Sequence, residues 1–351
     1  MSNFYILSIK EITQETYNSV SITFDIPLSL KANFYFIPGQ YITIQKELNG
    51  EQLRRDYSIC SSIKSNELKI GIKAVKNGIF SQYATSKLKV GDELEVSSPQ
   101  GRFNLPIDKN NNKNYLAFTA GSGITPVLSM INSVLEEEPK SKFVLVYGNK
   151  TKDDVMFKAE INDLAKQYEN KFFVHYIFSQ SPHIDHLFGR IDASIVNRMI
   201  NNIYNGVKFD NYFLCGPELM INAVKTTLIS AAIIEDKIHF ELFAVSTTNE
   251  SVESNNLEGH SEVTVILDDD EETFSMSKKS TILDVALSKG LDAPYSCQGG
   301  ICSSCLAQVT EGKAIMDSNT ILSDEEVEEG MILTCQAHPI TDKITIDYDA
   351  V

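Results

Sequence analysis

The sequence predicts a multidomain chain: an antiparallel β-barrel, then a parallel-sheet α/β domain, then a small α+β domain whose mixed sheet clasps one helix in a β-grasp. Three observations predict it. Short strand-like runs separated by turns fill the first hundred residues. Strands alternate with helices from Lys113 onward. A polar segment then leads into an acidic region carrying four closely patterned cysteines. At 351 residues the chain exceeds one ordinary core, and 42% hydrophobic residues can fill several.

In the first region, residues 4–10, 20–26, 40–45, 68–75 and 93–98 read as strands, with turns at Pro38-Gly39, Asn77-Gly78 and Val90-Gly91-Asp92. Runs at this spacing suggest a closed barrel. On it, Arg54-Arg55-Asp56-Tyr57-Ser58 puts an arginine, an aromatic ring and a hydroxyl on one strand. Such a set suits a phosphate, a flat ring and that ring's polar edge. Lys73, Gly78 and Ser81 follow, where a glycine beside a hydroxyl leaves room for a pyrophosphate. Taken singly, each piece also reads as exposed strand residues and a turn.

In the second region, residues 115–119, 143–148, 172–178 and 211–215 read as strands. Helices are expected from Thr125-Pro126, over 156–168, near 193–201 and after Pro217. This alternation implies a parallel sheet covered on both faces, with a ligand at the carboxyl ends of the strands. Two ends are marked. Thr119-Ala-Gly121-Ser122-Gly123-Ile-Thr125-Pro126 opens into a helix whose N-terminus can hold a pyrophosphate, though glycine turns are common connections too. Cys215-Gly216-Pro217 is the other; Cys215 alone reads as a small buried apolar residue.

Residues 244–260, rich in Ser, Thr and Asn, read as a linker. Beyond it, 262–268 and 272–276 suggest a hairpin, 281–289 a helix ending at Gly290, and 343–349 a closing strand. Between them Cys297, Cys302, Cys305 and Cys335 follow C-x4-C-x2-C-x29-C, the ligand pattern of a plant-type 2Fe–2S cluster. Gly299 and Gly300 let backbone N–H groups turn toward the sulfurs. A structural zinc site also takes four cysteines, but it usually shows two short C-x2-C knuckles and here there is one.

The net charge of −16 is uneven: residues 261–351 hold 18 acidic and 5 basic residues, and residues 1–246 are neutral overall. An acidic surface around a redox centre steers it toward a basic docking face and repels nucleic acid. A solvated acidic face is the plainer reading. No apolar run reaches membrane-spanning length and no leader is visible at Met1, so no membrane insertion is expected. The two other cysteines, Cys60 and Cys215, lie far apart, which argues against a disulfide framework and for the cytoplasm. His183 and His186 are spaced like a metal pair, but their polar surroundings favour a solvated loop.

Together these motifs resemble the ferredoxin–NADP reductase superfamily along the whole chain. Arg55-Asp-Tyr57-Ser58 looks like its R-x-Y-[ST] flavin motif. The resemblance implies Arg55 at the FAD phosphates, Tyr57 stacked on the isoalloxazine and Ser58 near its reactive nitrogen, with 78–81 as the second flavin-phosphate segment. It likewise implies that 119–126 and Cys215-Gly216-Pro217 meet the nicotinamide nucleotide, with Cys215 beside the nicotinamide. Glu241-Leu-Phe243 resembles the E-x-[FY] ending, whose aromatic covers the flavin. The implied division is an FAD-binding barrel over 1–108, an NAD(P)-binding domain over 113–243, a linker over 244–260 and a ferredoxin-like domain over 261–351.

The domain order is similar to that of oxygenase reductases, the reductase of phenylacetyl-CoA epoxidase among them. The stretches 147–151, 189–192, 333–339 and 342–349 resemble that subgroup in particular. Lys150 stands where arginine is usual. Asp153 and Asp154 disfavour a 2′-phosphate while Lys150, Lys152 and Arg190 could accept one, so NADH and NADPH both stay open. The implied path runs from NAD(P)H to FAD to the 2Fe–2S cluster to an oxygenase or other one-electron acceptor protein. Alternatives are a reductase for a Rieske oxygenase or membrane desaturase, and a redox-sensing or zinc-stabilised binding protein.

Overall fold

The computed structural model describes residues 4–48, 50–181, 187–243 and 257–351. His183 and His186 lie outside them, as does most of the expected linker. The described chain forms two compact units, one ending at Phe243 and the other comprising residues 257–351.

The first unit holds two sheets. Strands β1 (Phe4–Thr16), β2 (Ser19–Asp25), β3 (Tyr41–Leu48), β4 (Glu51–Ser58), β5 (Leu68–Lys73) and β6 (Glu93–Ser97) pair antiparallel in the order β4-β3-β6-β1-β2-β5. An antiparallel bridge between Ile59 and Ile70 joins the two edge strands, so the sheet closes on itself as the turn spacing predicts. Alternate residues, Val20, Ile22 and Phe24 on β2 among them, fill the interior. One helix was not legible: α1 (Ile79–Ser86) follows Asn77, whose φ of +64° reverses the chain, and it buries Phe80 and Ala84 in the barrel core.

The second sheet comprises β7 (Asn114–Ala120), β8 (Lys142–Asn149), β9 (Phe172–Phe178), β10 (Leu187–Phe188), β11 (Asn211–Cys215) and β12 (Ile238–Glu241). All pair parallel, in the order β10-β9-β8-β7-β11-β12. Helices α2 (Ile124–Glu137), α3 (Lys158–Gln167), α4 (Ala193–Asn197) and α5 (Glu218–Ser230) connect them. The helix expected from Met156 starts at Lys158, because Phe157 takes a left-handed φ of +56°. The helix near 193–201 is α4, continued as a π turn over Arg198–Ile203.

Polar pins join the barrel to this sheet. Glu15 of β1 accepts from Ser21 Oγ at 2.7 Å and from the Phe157 backbone N–H at 3.2 Å. On α2, Ser129 Oγ donates to the Ser61 carbonyl at 2.7 Å, and Ser133 Oγ, one turn on, accepts from Ile63 N–H at 3.3 Å. Both serines are fully buried.

In the second unit, β13 (His260–Leu267), β14 (Asp270–Ser277), β15 (Leu306–Glu311), β16 (Ala314–Met316), β17 (Met331–Leu333), β18 (Ala337–Pro339) and β19 (Lys343–Asp347) form a five-stranded sheet ordered β14-β13-β19-β15-β17 and a small β16-β18 ladder. Only β13 and β19 run parallel within the larger sheet. Helix α6 (Ile282–Ser288) is capped by Thr281 and buries Ile282, Leu283 and Ala286 against Val263, Ile344 and Ile346. This is the clasped helix of the predicted β-grasp. A last helix, α7 (Asp324–Glu328), carries acidic residues through its first turn.

Replacing Ser129 by Ala strands the buried Ser61 carbonyl, and the expected cost is about 1–3 kcal/mol, read as a lower urea midpoint at unchanged slope.

Candidate active site and cluster site

The parallel sheet changes direction between β7 and β11: the chain builds outward from β7 through β8, β9 and β10, then returns to β11 on β7's other side. A crevice opens at the carboxyl ends of strands at such a point. Both marked loops lie there, since Thr119 and Cys215 are register partners. Gly123 is required by contact: a β-carbon on it would collide with the Cys215 carbonyl. Gly121 has a φ of +57°, and its carbonyl accepts from Tyr147 Oη at 2.9 Å, which steadies the loop. Thr125 Oγ1 donates to the Ser122 carbonyl at 3.0 Å. Pro126 sits in the first turn of α2, where no intrahelical N–H is needed. A β-carbon at Gly216 would press on Met220 and Ala120, and Pro217 precedes the first turn of α5.

Cys215 also pairs in register with Glu241, so Thr119, Cys215 and Glu241 form one row near the carboxyl ends of three neighbouring strands. Thr119 Oγ1 is buried and has no partner among the described residues, a hydroxyl open to a ligand bond. Burial pushes the Cys215 thiol well up, with Glu241 adding to the shift, so it stays neutral. Ser58, at the end of barrel strand β4, donates to Glu241 Oε2 at 3.3 Å. Burial of the Glu241 carboxyl raises its pKa to about 8; the Ser58 bond opposes this and Asp56 adds to it. Phe243 lies two residues on and is exposed.

On the barrel side, Arg55 and Tyr57 share one face of β4 by strand alternation. Arg55 is exposed, with Nη1 donating to the Arg54 carbonyl at 2.6 Å. Tyr57 is half-buried and packs on Phe80 of α1 with ring centroids 5.7 Å apart. Gly78 precedes that helix, and a β-carbon there would collide with Ser81 Oγ and Val75. Ser81 Oγ accepts from Val75 N–H at 3.2 Å and donates to the Gly78 carbonyl at 3.3 Å, which shapes the cradle. Lys73 ends β5; its partial burial lowers its pKa, opposed by Asp154 and aided by Lys150. Asp154 accepts from both the N–H and the hydroxyl of Thr151, at 3.0 and 2.6 Å, so its carboxylate is committed to a cap. The cradle at the start of α1, an arginine and a half-buried tyrosine fit a flavin dinucleotide; the Thr119 hydroxyl and the glycine contacts fit a nicotinamide one.

Sequence reasoning missed Asp56 and Tyr147. Asp56 accepts from Thr43 Oγ1 at 2.7 Å beneath Ser58. Tyr147 sits inside an apolar run, Phe143 to Gly148, where its hydroxyl gives no pattern. In the second unit Cys297 lies against Cys302 and Cys335, and Cys305 against Cys335. Cys305 and Cys335 are buried, Cys297 and Cys302 half-exposed, and the Cys297 and Cys302 sulfurs are 3.1 Å apart. Gly299 N–H points at Cys297 Sγ at 3.3 Å. Bonds from Cys302 and Cys335, then from Gly299 and Ile301 N–H, hold the Cys297 thiol far below its usual range. Gly300 has a φ of +71°, and a β-carbon there would meet the Ser318 carbonyl at 2.7 Å. Four convergent thiols with inward N–H groups are the donor set an iron–sulfur cluster needs.

Family matches coincide with these parts: an oxidoreductase FAD-binding domain over residues 7–105, an oxidoreductase NAD-binding domain over 118–226 and a 2Fe-2S iron-sulfur cluster binding domain over 265–339. The chain is an oxidoreductase with flavin, nicotinamide-nucleotide and 2Fe–2S domains, and the zinc alternative falls away. It is 37% identical to a component of the 1,2-phenylacetyl-CoA epoxidase of Escherichia coli (strain K12), over 100% of this chain and 99% of that one. The ferredoxin reductase component of 3-ketosteroid-9-alpha-monooxygenase from Rhodococcus rhodochrous is 32% identical over 99% and 97%. Phthalate dioxygenase reductase shares the fold, with a TM-score of 0.62 at 22% identity over 98% of each chain. The chain belongs to this family of three-domain flavin and iron–sulfur reductases within the ferredoxin–NADP reductase superfamily. No helix among the described residues is long and apolar enough to cross a membrane.

Between its ordinary 4.5 and about 8, Glu241 binds a proton in the folded chain that the unfolded chain has released. Stability is therefore expected to fall as pH rises through that window, and Glu241→Gln to flatten the fall, in urea unfolding at a series of pH values.

Proposed function

We propose that this chain is the NAD(P)H-oxidising reductase component of a multicomponent oxygenase of the phenylacetyl-CoA epoxidase type. The observation that carries the reading is the likeness to the Escherichia coli epoxidase component along the full length of both chains, flavin, nucleotide and cluster motifs included. The division follows the implied one, with FAD over 1–108, nicotinamide nucleotide over 113–243 and the cluster over 261–351. Reduced cysteines and a 2Fe–2S site fit a cytoplasmic setting.

When bound, the flavin takes a hydride's two electrons together and releases them singly to a one-electron cluster. The chain's own residues do the rest. Arg55, Gly78, Ser81 and the first N–H groups of α1 would hold the flavin phosphates, with Lys73 supplying charge nearby. Tyr57 offers a ring face for stacking. Thr119, Gly121, Ser122, Gly123, Thr125 and Pro126 seat the pyridine nucleotide against Cys215, Gly216 and Pro217. Cys215 is fully buried in the hydrophobic core, so its neutral thiol backs that wall from behind. Glu241, bonded to Ser58, keeps a proton at its carboxyl near neutral pH. Phe243, exposed at the end of this unit, would cover the flavin face. Lys150, Lys152 and Arg190 are opposed by Asp153 and by Asp154, which accepts two bonds from Thr151 and still acts on Lys73; the KM ratio of NADPH to NADH reads the balance.

Cys297 and Cys302 lie at the half-exposed edge of the cluster loop, within residues 261–351, whose net charge is −13. That pairing supports a basic docking face on the oxygenase. Reduction of the partner should slow as salt rises, because screening weakens the steering. The oxygenase components of the epoxidase should turn over with this reductase and NAD(P)H, and preference for a 3-ketosteroid oxygenase would refute the assignment. Cys302→Ser should abolish cytochrome c reduction while keeping ferricyanide reduction and bound flavin. Equal loss of both activities in the folded variant would count against the division of labour.

A further inference from the structure

The two buried cysteines of the second unit come from segments far apart in sequence, and one residue ties them together. Cys305 and Thr334 stand just beyond the paired ends of β15 and β17, where Leu306 faces Leu333. Thr334 donates to the Cys305 carbonyl twice, from its N–H at 3.1 Å and from Oγ1 at 3.0 Å. Its own carbonyl accepts from Leu283 N–H in the first turn of α6, at 3.1 Å. The next residue is Cys335. Thr334 is fully buried and ties the Cys305 carbonyl to the backbone beside Cys335.

Thr334 is itself held from behind. Tyr348, one residue past β19, is buried and its Oη lies 2.8 Å from Thr334 Oγ1. A hydroxyl carries a single proton, and Thr334 gives its own to Cys305, so toward Tyr348 it can only accept. The order is therefore fixed: Tyr348 O–H to Thr334 O–H to the Cys305 carbonyl. Both dipoles point their positive ends toward Cys305. In a buried setting such a chain polarises along its length, and reduction adds negative charge at the cluster that Cys305 would hold.

We propose that Tyr348 is a positioning residue for the 2Fe–2S cluster, acting only through Thr334 to set the Cys305–Cys335 span and to favour the reduced cluster. The proposal rests on the 2Fe–2S reading of the four cysteines, which the iron content and visible spectrum of the unmodified chain test separately. Neither residue binds the cluster, so a change in either leaves all four thiolates in place.

The experiment is a double-mutant cycle on the full-length holoprotein, read as cluster midpoint potential by EPR-monitored redox titration. Tyr348→Phe is expected to lower the potential, shifting the one-electron equilibrium about threefold toward the oxidised cluster, the net worth of a modest hydrogen bond. Thr334→Val should shift it further, and the double variant no further than Thr334→Val alone, because the tyrosine acts through Thr334 although it packs in one core with Cys305 and Cys335. Thr334→Ser keeps the hydroxyl and should keep the original potential. An unchanged potential in iron-replete Tyr348→Phe overturns the proposal, as does a double variant showing the sum of the single shifts. If Tyr348→Phe fails to retain iron, full loading of Thr334→Ser still supports a hydroxyl-borne role, and loss of iron from both overturns it.

Discussion

The close backbone contact between Gly123 and Cys215 is the constraint on which the catalytic half depends. Two strands running side by side must send their chains away in opposite directions, and the loops that do so meet over the sheet. Only without a side chain at Gly123 can the turn after β7 lie on the carbonyl that ends β11. That contact sets the floor of the crevice and aligns Thr119 with Cys215 and Glu241. The hydroxyl, the thiol and the carboxyl form one row because the register of a parallel sheet puts them there.

The barrel supplies the other wall, and its position is held by polar groups buried between the halves. Glu15 reaches the backbone that starts α3, and two serines of α2 reach the loop after β4. Such bonds add little net stability each, yet leaving one partner alone is costly, so they specify the docking angle more than its strength. Through them Ser58 comes within a hydrogen bond of Glu241 across the two sheets.

Much of this was legible in the sequence, for physical reasons that differ from element to element. Strand periodicity exposed both sheets, because Val20, Ile22 and Phe24, or the apolar run from Phe143, can satisfy only one geometry. The cysteines were legible because cluster ligation fixes spacing. Helix α1 was not, since its eight residues mix Ile, Thr, Ser and Tyr and its main support is the barrel core into which Phe80 projects. The start of α3 was misplaced because a distant carboxylate, Glu15, takes the N–H of Phe157. The roles of Tyr147 and Thr334 depend on hydroxyl partners brought in by the fold, which no local pattern announces.

The central claim is that the chain converts a two-electron input into one-electron output through a flavin and a 2Fe–2S cluster. Anaerobic titration of the purified holoprotein with NAD(P)H, followed optically, tests it most directly. Bleaching of flavin and iron–sulfur bands together, complete at about 1.5 equivalents for three electrons, is the expected result. Completion at one equivalent with only flavin bands affected, in protein that carries no iron, would contradict it.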